Sequence, residues 1–220
     1  MRVAFFGGTF DPIHRVHLRL ARAAADAYAL DRVLFAPVGN QPLKHEAAIA
    51  SYTDRLAMVR LALEDGTEPR PTAEELHAAA GNSRDPRFAV SDLDAPHPDG
   101  SANYSVDTLA ALAHQLPGAS LFVLTGADSF LDLRRWRSPD RLLEIAEWIV
   151  VSRPEFPLSE SHLSPLALTA GQRSRVHLLT TVHEDVSATE LRRRLQTGDA
   201  CPGLLPPAVA AYIQAHGLYR

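Results

Sequence analysis

The sequence predicts an α/β fold: a doubly wound parallel sheet with helices on both faces and a C-terminal helical extension. Three observations carry this reading. Two short apolar runs, Val3–Phe6 and Arg32–Val38, flank an Ala- and Leu-rich stretch from Val16 to Ala29, so the first 38 residues read strand, helix, strand. That order implies right-handed crossovers and parallel strands with helices packed on them. The alternation then recurs, and 46% of the 220 residues are apolar, enough for a sizeable core. No repeat, long linker or composition shift divides the chain, so residues 1–220 read as a single domain with 186–220 as its helical extension.

The elements follow in order. Gly7-Gly8 ends the first strand, and Leu20, Ala24, Ala27 and Tyr28 form one stripe on the first helix. Residues 51–65 carry Leu56, Val59, Ala62 and Leu63 behind a Ser/Thr-rich start and read as a second helix. Residues 87–94 alternate like a strand, and 105–116 form a helix stopped by Pro117-Gly118. Residues 120–126 and 147–153 read as buried strands around a helix at 137–146. A strand at 175–180, a helix opening at Ser187 with Gly198 past its end, and a closing helix between Pro206 and Gly217 complete the chain. Residues 66–86 and 154–175 are broken by Pro, Gly and Ser and are expected to be surface insertions.

Bulk properties exclude several classes. A formal net charge of −4 argues against a general nucleic-acid binder, so an anionic ligand must be caught locally. One cysteine, Cys201, leaves no internal disulfide. The longest apolar runs fall far short of the roughly 20 residues of a membrane span, and no apolar leader precedes the first strand, so a cytoplasmic protein is expected. Oligomeric state stays open, a homo-oligomer included.

The chemistry concentrates in "GGTFDPIHRVH", Gly7 to His17. A strand, a Gly-rich turn and a helix start present backbone N–H groups and a positive helix end to phosphate. Gly7 and Gly8 allow close approach, Thr9 adds a hydroxyl, and Phe10 closes the turn. The spacing matches neither a dinucleotide fingerprint nor a P-loop, so the cationic donors must come from elsewhere. His14 and His17 lie three apart, and imidazoles donate to phosphoryl oxygens and change charge near neutrality. The plainer alternative makes His14 a helix cap and His17 a half-buried ring, and two histidines without a third ligand make a poor zinc site, so no metal site is assigned. A second stretch, "VSATELRRR" (Val186 to Arg194), would free its first N–H groups behind Ser187 or Thr189, with Glu190 at capping-box spacing from Ser187 and Arg192 a turn later. Taken alone it is an ordinary helix start. Beside the first turn it would complete a polyphosphate cradle.

Together with "SYTDRLAMVRLA", "YSVDTL", "GADSFLDLRRW", "IVVSRP" and the terminal "YIQAHGLYR", these stretches span nearly the whole chain. In that order they resemble nucleotidyltransferases of the His-x-Gly-His motif and, within them, the bacterial nicotinate-nucleotide adenylyltransferase family. The resemblance implies a Rossmann-like sheet and transfer of AMP from ATP to the 5′-phosphate of nicotinate mononucleotide, with Mg²⁺ carried by ATP. It implies that His17 stabilises charge at the α-phosphate, that His14 and the backbone of Gly8, Thr9 and Phe10 hold the phosphates, and that Ser187, Thr189 and Arg192, with Lys44 from a loop, grip the far end. For the acceptor it implies backbone amides at Tyr104 and Ser105 for the carboxylate, Trp136 stacked on the pyridine ring, Gly126 and Asp128 at the ribose and Arg153 near the phosphate. Each acceptor residue also has a plainer role as a cap, a packing ring or a surface charge. Where the family carries Gly between its histidines this chain has Val16, whose branched side chain must point aside or crowd the nucleotide. Pantetheine phosphate as acceptor, cytidylyl transfer, and a nucleotide-binding regulator without turnover are the competing readings.

Overall fold

Strand β1 (Arg2–Gly8) buries Val3 to Phe6 without alternation, as a central strand covered on both faces does. In this computed structural model, which describes residues 1–43, 48–64, 85–152, 158–180 and 186–220, it leads into α1 (Arg15–Ala27), β2 (Arg32–Pro37), α2 (Tyr52–Glu64) and β3 (Phe88–Val90). The second half runs α3 (Ser105–Gln115), β4 (Ser120–Gly126), α4 (Ala127–Leu131), α5 (Pro139–Ile145) and β5 (Glu147–Val151). Then come α6 (Glu160–Leu163), α7 (Ala170–Arg173), β6 (Val176–Leu179), α8 (Ala188–Gln196) and α9 (Pro207–His216). The strands pair in parallel in the order β3-β2-β1-β4-β5-β6, the doubly wound sheet expected. Its direction of growth reverses between β1 and β4, which is where such a sheet opens a crevice at the carboxyl ends of its strands.

Side chains alternate across β4: Leu121 and Val123 join one apolar cluster, Phe122 and Leu124 the other. The cluster of Phe122 and Leu124 takes Ala21 and Ala24 of α1, Met58 and Val59 of α2, Leu191 of α8 and Val209 and Ile213 of α9. The cluster of Leu121 and Val123 takes Leu109 and Leu112 of α3, Leu142 and Leu143 of α5, and Trp148. The helices at the end of the chain are thus packed into the same layer as α1, which brings α8 beside the first turn. α9 begins with Pro and stops at Gly217, whose φ of 61° a residue with a side chain would adopt at a cost.

Two expectations need correction, and one helix was not expected. The strand expected at 87–94 shortens to Phe88–Val90, because Arg87 turns back to pair with Asp85 and Asp26 and the chain after Ser91 enters a turn closed by the Ala95 N–H on the Asp92 carbonyl. Residues 127–131 form a short helix that a five-residue stretch continuous with a strand does not announce. Residues 158–175 are no mere surface insertion: Leu158, Leu163 and Leu166 are buried against the cluster around Trp148. Of the other insertion, 66–84 lie outside the described residues.

Candidate active site

A cavity of about 500 Å³ opens at the carboxyl ends of β1, β4 and β5. The turn from Phe6 to Asp11, with His14, Val16 and His17, forms one wall; Thr125 to Ser129 form a second; Val186 to Thr189 and Arg192 form a third. The N-terminal turn and the start of α8 therefore face one cleft, at the topological switch of the sheet.

His14 is the N-cap of α1, in extended conformation, and His17 lies one turn in. The His14 N–H donates to His17 Nδ1 at 3.2 Å. An imidazole that accepts at Nδ1 carries its proton on Nε2, so His17 is a hydrogen-bond donor at its far nitrogen. Its ring is fixed on three sides, by His14 at 3.8 Å between centroids, by Phe10 edge-on at 5.1 Å and by Phe6 at 6.0 Å. His14 is 4% exposed, and its Nδ1 has no hydrogen-bond partner among the described residues.

Burial lowers the His14 pKa from 6.5 to about 4, because the charged ring loses its water. The unfolded chain takes up this proton below pH 6.5 and the folded one only below about 4, so stability is lost as pH falls through that window. Between pH 7 and 4 the stability difference between the unaltered protein and His14→Gln is expected to shift by about 3 kcal/mol in the variant's favour. Urea titrations at the two pH values check this; a shift below about 0.5 kcal/mol contradicts a neutral buried imidazole.

The turn is held from beneath. A Cβ on Gly7 would stand 2.7 Å from the Phe5 ring, so the glycine serves packing as well as access. Thr9 Oγ1 donates to Gln41 Oε1 at 3.4 Å. Phe10 adopts a left-handed φ of 48°, uncommon for a residue of its size. Asp11 is 3% exposed; its carboxylate accepts from the N–H groups of Ile49 and Ala50 at 2.8 and 3.1 Å and from the Tyr219 hydroxyl at 2.6 Å. Arg55, 2% exposed, donates to the carbonyls of Thr9, Val38 and Ala50. Asp11, Arg55 and Tyr219 were not assigned roles from the sequence. The available signal was Arg55 itself, a charged residue on the stripe otherwise filled by Met58, Val59, Ala62 and Leu63.

At α8 the Ser187 hydroxyl accepts from the Glu190 N–H at 3.4 Å, so Ser187 is the cap. The return half of the expected capping box is absent, because Arg193 holds the Glu190 carboxylate at 2.7 and 2.8 Å. Arg192 donates to the Asp11 carbonyl at 2.9 Å and to the Thr189 hydroxyl at 3.3 Å, which docks α8 directly on the turn.

On the other side, Gly126 and Asp128 line the cavity at the start of α4. Tyr104 precedes α3 as its N-cap with the Arg137 guanidinium 4.6 Å above its ring, and Ser105 is the first helical residue. Trp136 is half-buried, edge-on to Trp148 at 5.8 Å. Tyr104, Ser105 and Trp136 stand outside the cavity lining. Lys44 and Arg153 lie outside the described residues. Among the described residues no three His, Cys, Asp or Glu side chains are placed to hold a metal ion.

A cavity at the switch point, walled by a glycine turn with two histidines and by a second helix start, is the arrangement that the resemblance to nucleotidyltransferases implies. In agreement, a family model described as cytidylyltransferase-like matches residues 5–194. The chain is 40% identical over 224 residues to the probable nicotinate-nucleotide adenylyltransferase of Neisseria gonorrhoeae, covering 100% of this chain and 98% of that one. It is 36% identical over 220 residues to the protein of the same name from Thermus thermophilus, covering 100% of both. The chain belongs to the nicotinate-nucleotide adenylyltransferase family. In fold it is similar to Plasmodium falciparum nicotinic acid mononucleotide adenylyltransferase complexed with NaAD, with a TM-score of 0.75 at 16% identity over 99% of this chain and 97% of that one.

Proposed function

We propose that the protein transfers AMP from ATP to the 5′-phosphate of nicotinate mononucleotide, releasing pyrophosphate and forming nicotinate adenine dinucleotide. The observation that carries the site assignment is the shared cleft: the turn at Gly7–Phe10 and the cap of α8 line one cavity. Nucleotidyl transfer asks the protein to align two anions and to neutralise growing charge, with no covalent intermediate. His17 meets the second demand, since its Nε2–H points away from the nitrogen that the His14 N–H occupies and can donate to the α-phosphate as charge builds. The neutral His14 and the amides of Gly8, Thr9 and Phe10 hold the phosphates. Ser187, Thr189 and the start of α8 receive the β,γ end, where the remaining N–H groups of Arg192 add charge. Mg²⁺ enters with ATP as part of the substrate.

For the acceptor, Gly126 and Asp128 border the cavity where a ribose would sit. The N–H groups at Tyr104 and Ser105 open α3 and suit a carboxylate, with Trp136 offered to the pyridine ring and Lys44 and Arg153 as supplementary charges. The single cysteine suits a reducing compartment, and the cytoplasm is the assignment.

Val16 is 6% exposed and lines the cavity, so its side chain occupies room where the family's glycine leaves backbone. Val16→Gly is expected to lower KM for ATP about threefold to tenfold, a gain of about 1 kcal/mol in binding, at a comparable cost to α1 stability. Steady-state kinetics decide, and an unchanged or higher KM removes the steric argument. The function itself is tested by pyrophosphate release from ATP with nicotinate mononucleotide or its amide as acceptor. Release with the acid is expected, and its absence with both acceptors refutes the reading.

A further inference from the structure

We propose that Arg55 is a positioning residue that ties the phosphate-binding turn to the start of α3 and thereby sets how the donor's phosphates stand relative to the acceptor; this rests on the adenylyl-transfer reading above. Its guanidinium donates from Nη1 to the Thr9 carbonyl at 2.7 Å, from Nη2 to the Val38 carbonyl at 2.9 Å and from Nε to the Ala50 carbonyl at 3.3 Å. A buried guanidinium is costly to desolvate, and an apolar residue would fill the same stripe of α2. What the arginine adds is geometry: a planar fork reaching three segments at once, which the single ammonium of lysine cannot reproduce. Its charge is faced by Asp11, whose carboxylate is in turn held by Tyr219 and the amides of Ile49 and Ala50.

Each end of this fork leads to one half of the site. Thr9 precedes Phe10, whose left-handed backbone sets its ring edge-on to His17. Val38 precedes Gly39 and Asn40, which are stitched to the loop after β3. The Gly39 N–H donates to the Asp94 carbonyl at 2.7 Å, the Asn40 N–H to Asn103 Oδ1 at 2.8 Å, and the Asn103 N–H back to the Asn40 carbonyl at 2.9 Å. Asn103 Nδ2 donates to the Ala95 carbonyl at 2.8 Å. The approach is so close that a Cβ on Gly39 would stand 2.5 Å from the Pro96 nitrogen. Asn103 is followed by Tyr104, the N-cap of α3. A continuous run of short contacts therefore joins the His17 ring to the acceptor side, with Arg55 as its middle member.

The test is Arg55→Lys, read by steady-state kinetics per folded molecule and by the ¹⁵N shifts of the His17 ring. The expected result is a kcat lower by about 10- to 100-fold, with KM for ATP and for nicotinate mononucleotide each within about threefold, because misplacement of aligned reactants costs rate rather than binding. The His17 nitrogens are expected to shift as its supporting turn relaxes. A merely structural arginine would lower the folded fraction and the thermal midpoint and leave both readouts unmoved. Should Arg55→Lys fail to fold, Asn103→Ala cuts the same run beyond Val38 and is judged by the same readouts, with a kcat loss of about tenfold expected. A kcat within about twofold of the unaltered protein together with unmoved His17 signals overturns the proposal. Absent turnover in the unaltered protein would sink the functional reading by itself, and the ring shifts would still decide the role of Arg55.

Discussion

Replacing His17 with alanine is expected to lower kcat by about 10²- to 10³-fold, the usual loss when one preorganised donor to transition-state charge is removed. The ring is immobilised before any substrate arrives: His14 lies tilted against it, Phe10 meets its edge, and the His14 N–H fixes which nitrogen bears the proton. A donor held this way needs no reorganisation as charge develops, so its contribution is confined to the transition state and KM for ATP should change little. The fold should survive, since His17 is only half-buried and its contacts with His14, Phe10 and Phe6 are confined to the first turn and the start of α1. A thermal midpoint within about 4 °C of the unaltered protein is the matching expectation. Near-normal turnover in a folded His17→Ala protein would strike this residue from the reaction.

Asp11→Ala is expected to be the most damaging single change to stability, at about 3 to 5 kcal/mol. Its carboxylate is the shared acceptor for two backbone N–H groups and the Tyr219 hydroxyl, and it faces the buried Arg55. Deleting it leaves those three donors without their acceptor and a buried cation without its counter-charge. For a chain of this size the thermal midpoint should fall by about 10 °C or more, measurable by calorimetry. Asp11→Asn, which keeps the shape and an acceptor oxygen, should cost less. A fall under about 2 °C for Asp11→Ala would show that the network contributes nothing net.

Much of the architecture was legible because its strands are short apolar runs ended by glycine or proline, as at Val3–Phe6 and Leu121–Leu124, and because Ala- and Leu-rich segments lie between them. The two stretches that wall the cavity were legible locally, since a glycine turn with histidines and a capped helix are each the kind of segment that can present N–H groups to an anion. That they converge depends on Arg192 reaching the Asp11 carbonyl across 181 positions of sequence, which no local pattern states. The same holds for Tyr219 and Asp11, separated by 208 positions. Asp11 stood in plain view within an Asp-Pro pair and read as turn chemistry, because the amides it accepts from belong to the approach to α2. The helix at Ala127–Leu131 is too short for its periodicity to show. The acceptor roles of Tyr104, Ser105 and Trp136 came from family resemblance alone, and the three residues stand outside the cavity lining.

The most direct measurement is a crystal structure of the protein with a non-hydrolysable ATP analogue and Mg²⁺. The expected result places the α-phosphate within hydrogen-bond distance of His17 Nε2 and the γ end at Ser187 and Arg192, with one triphosphate spanning both. A nucleotide whose phosphates touch the N-terminal turn alone, or α8 alone, would contradict it.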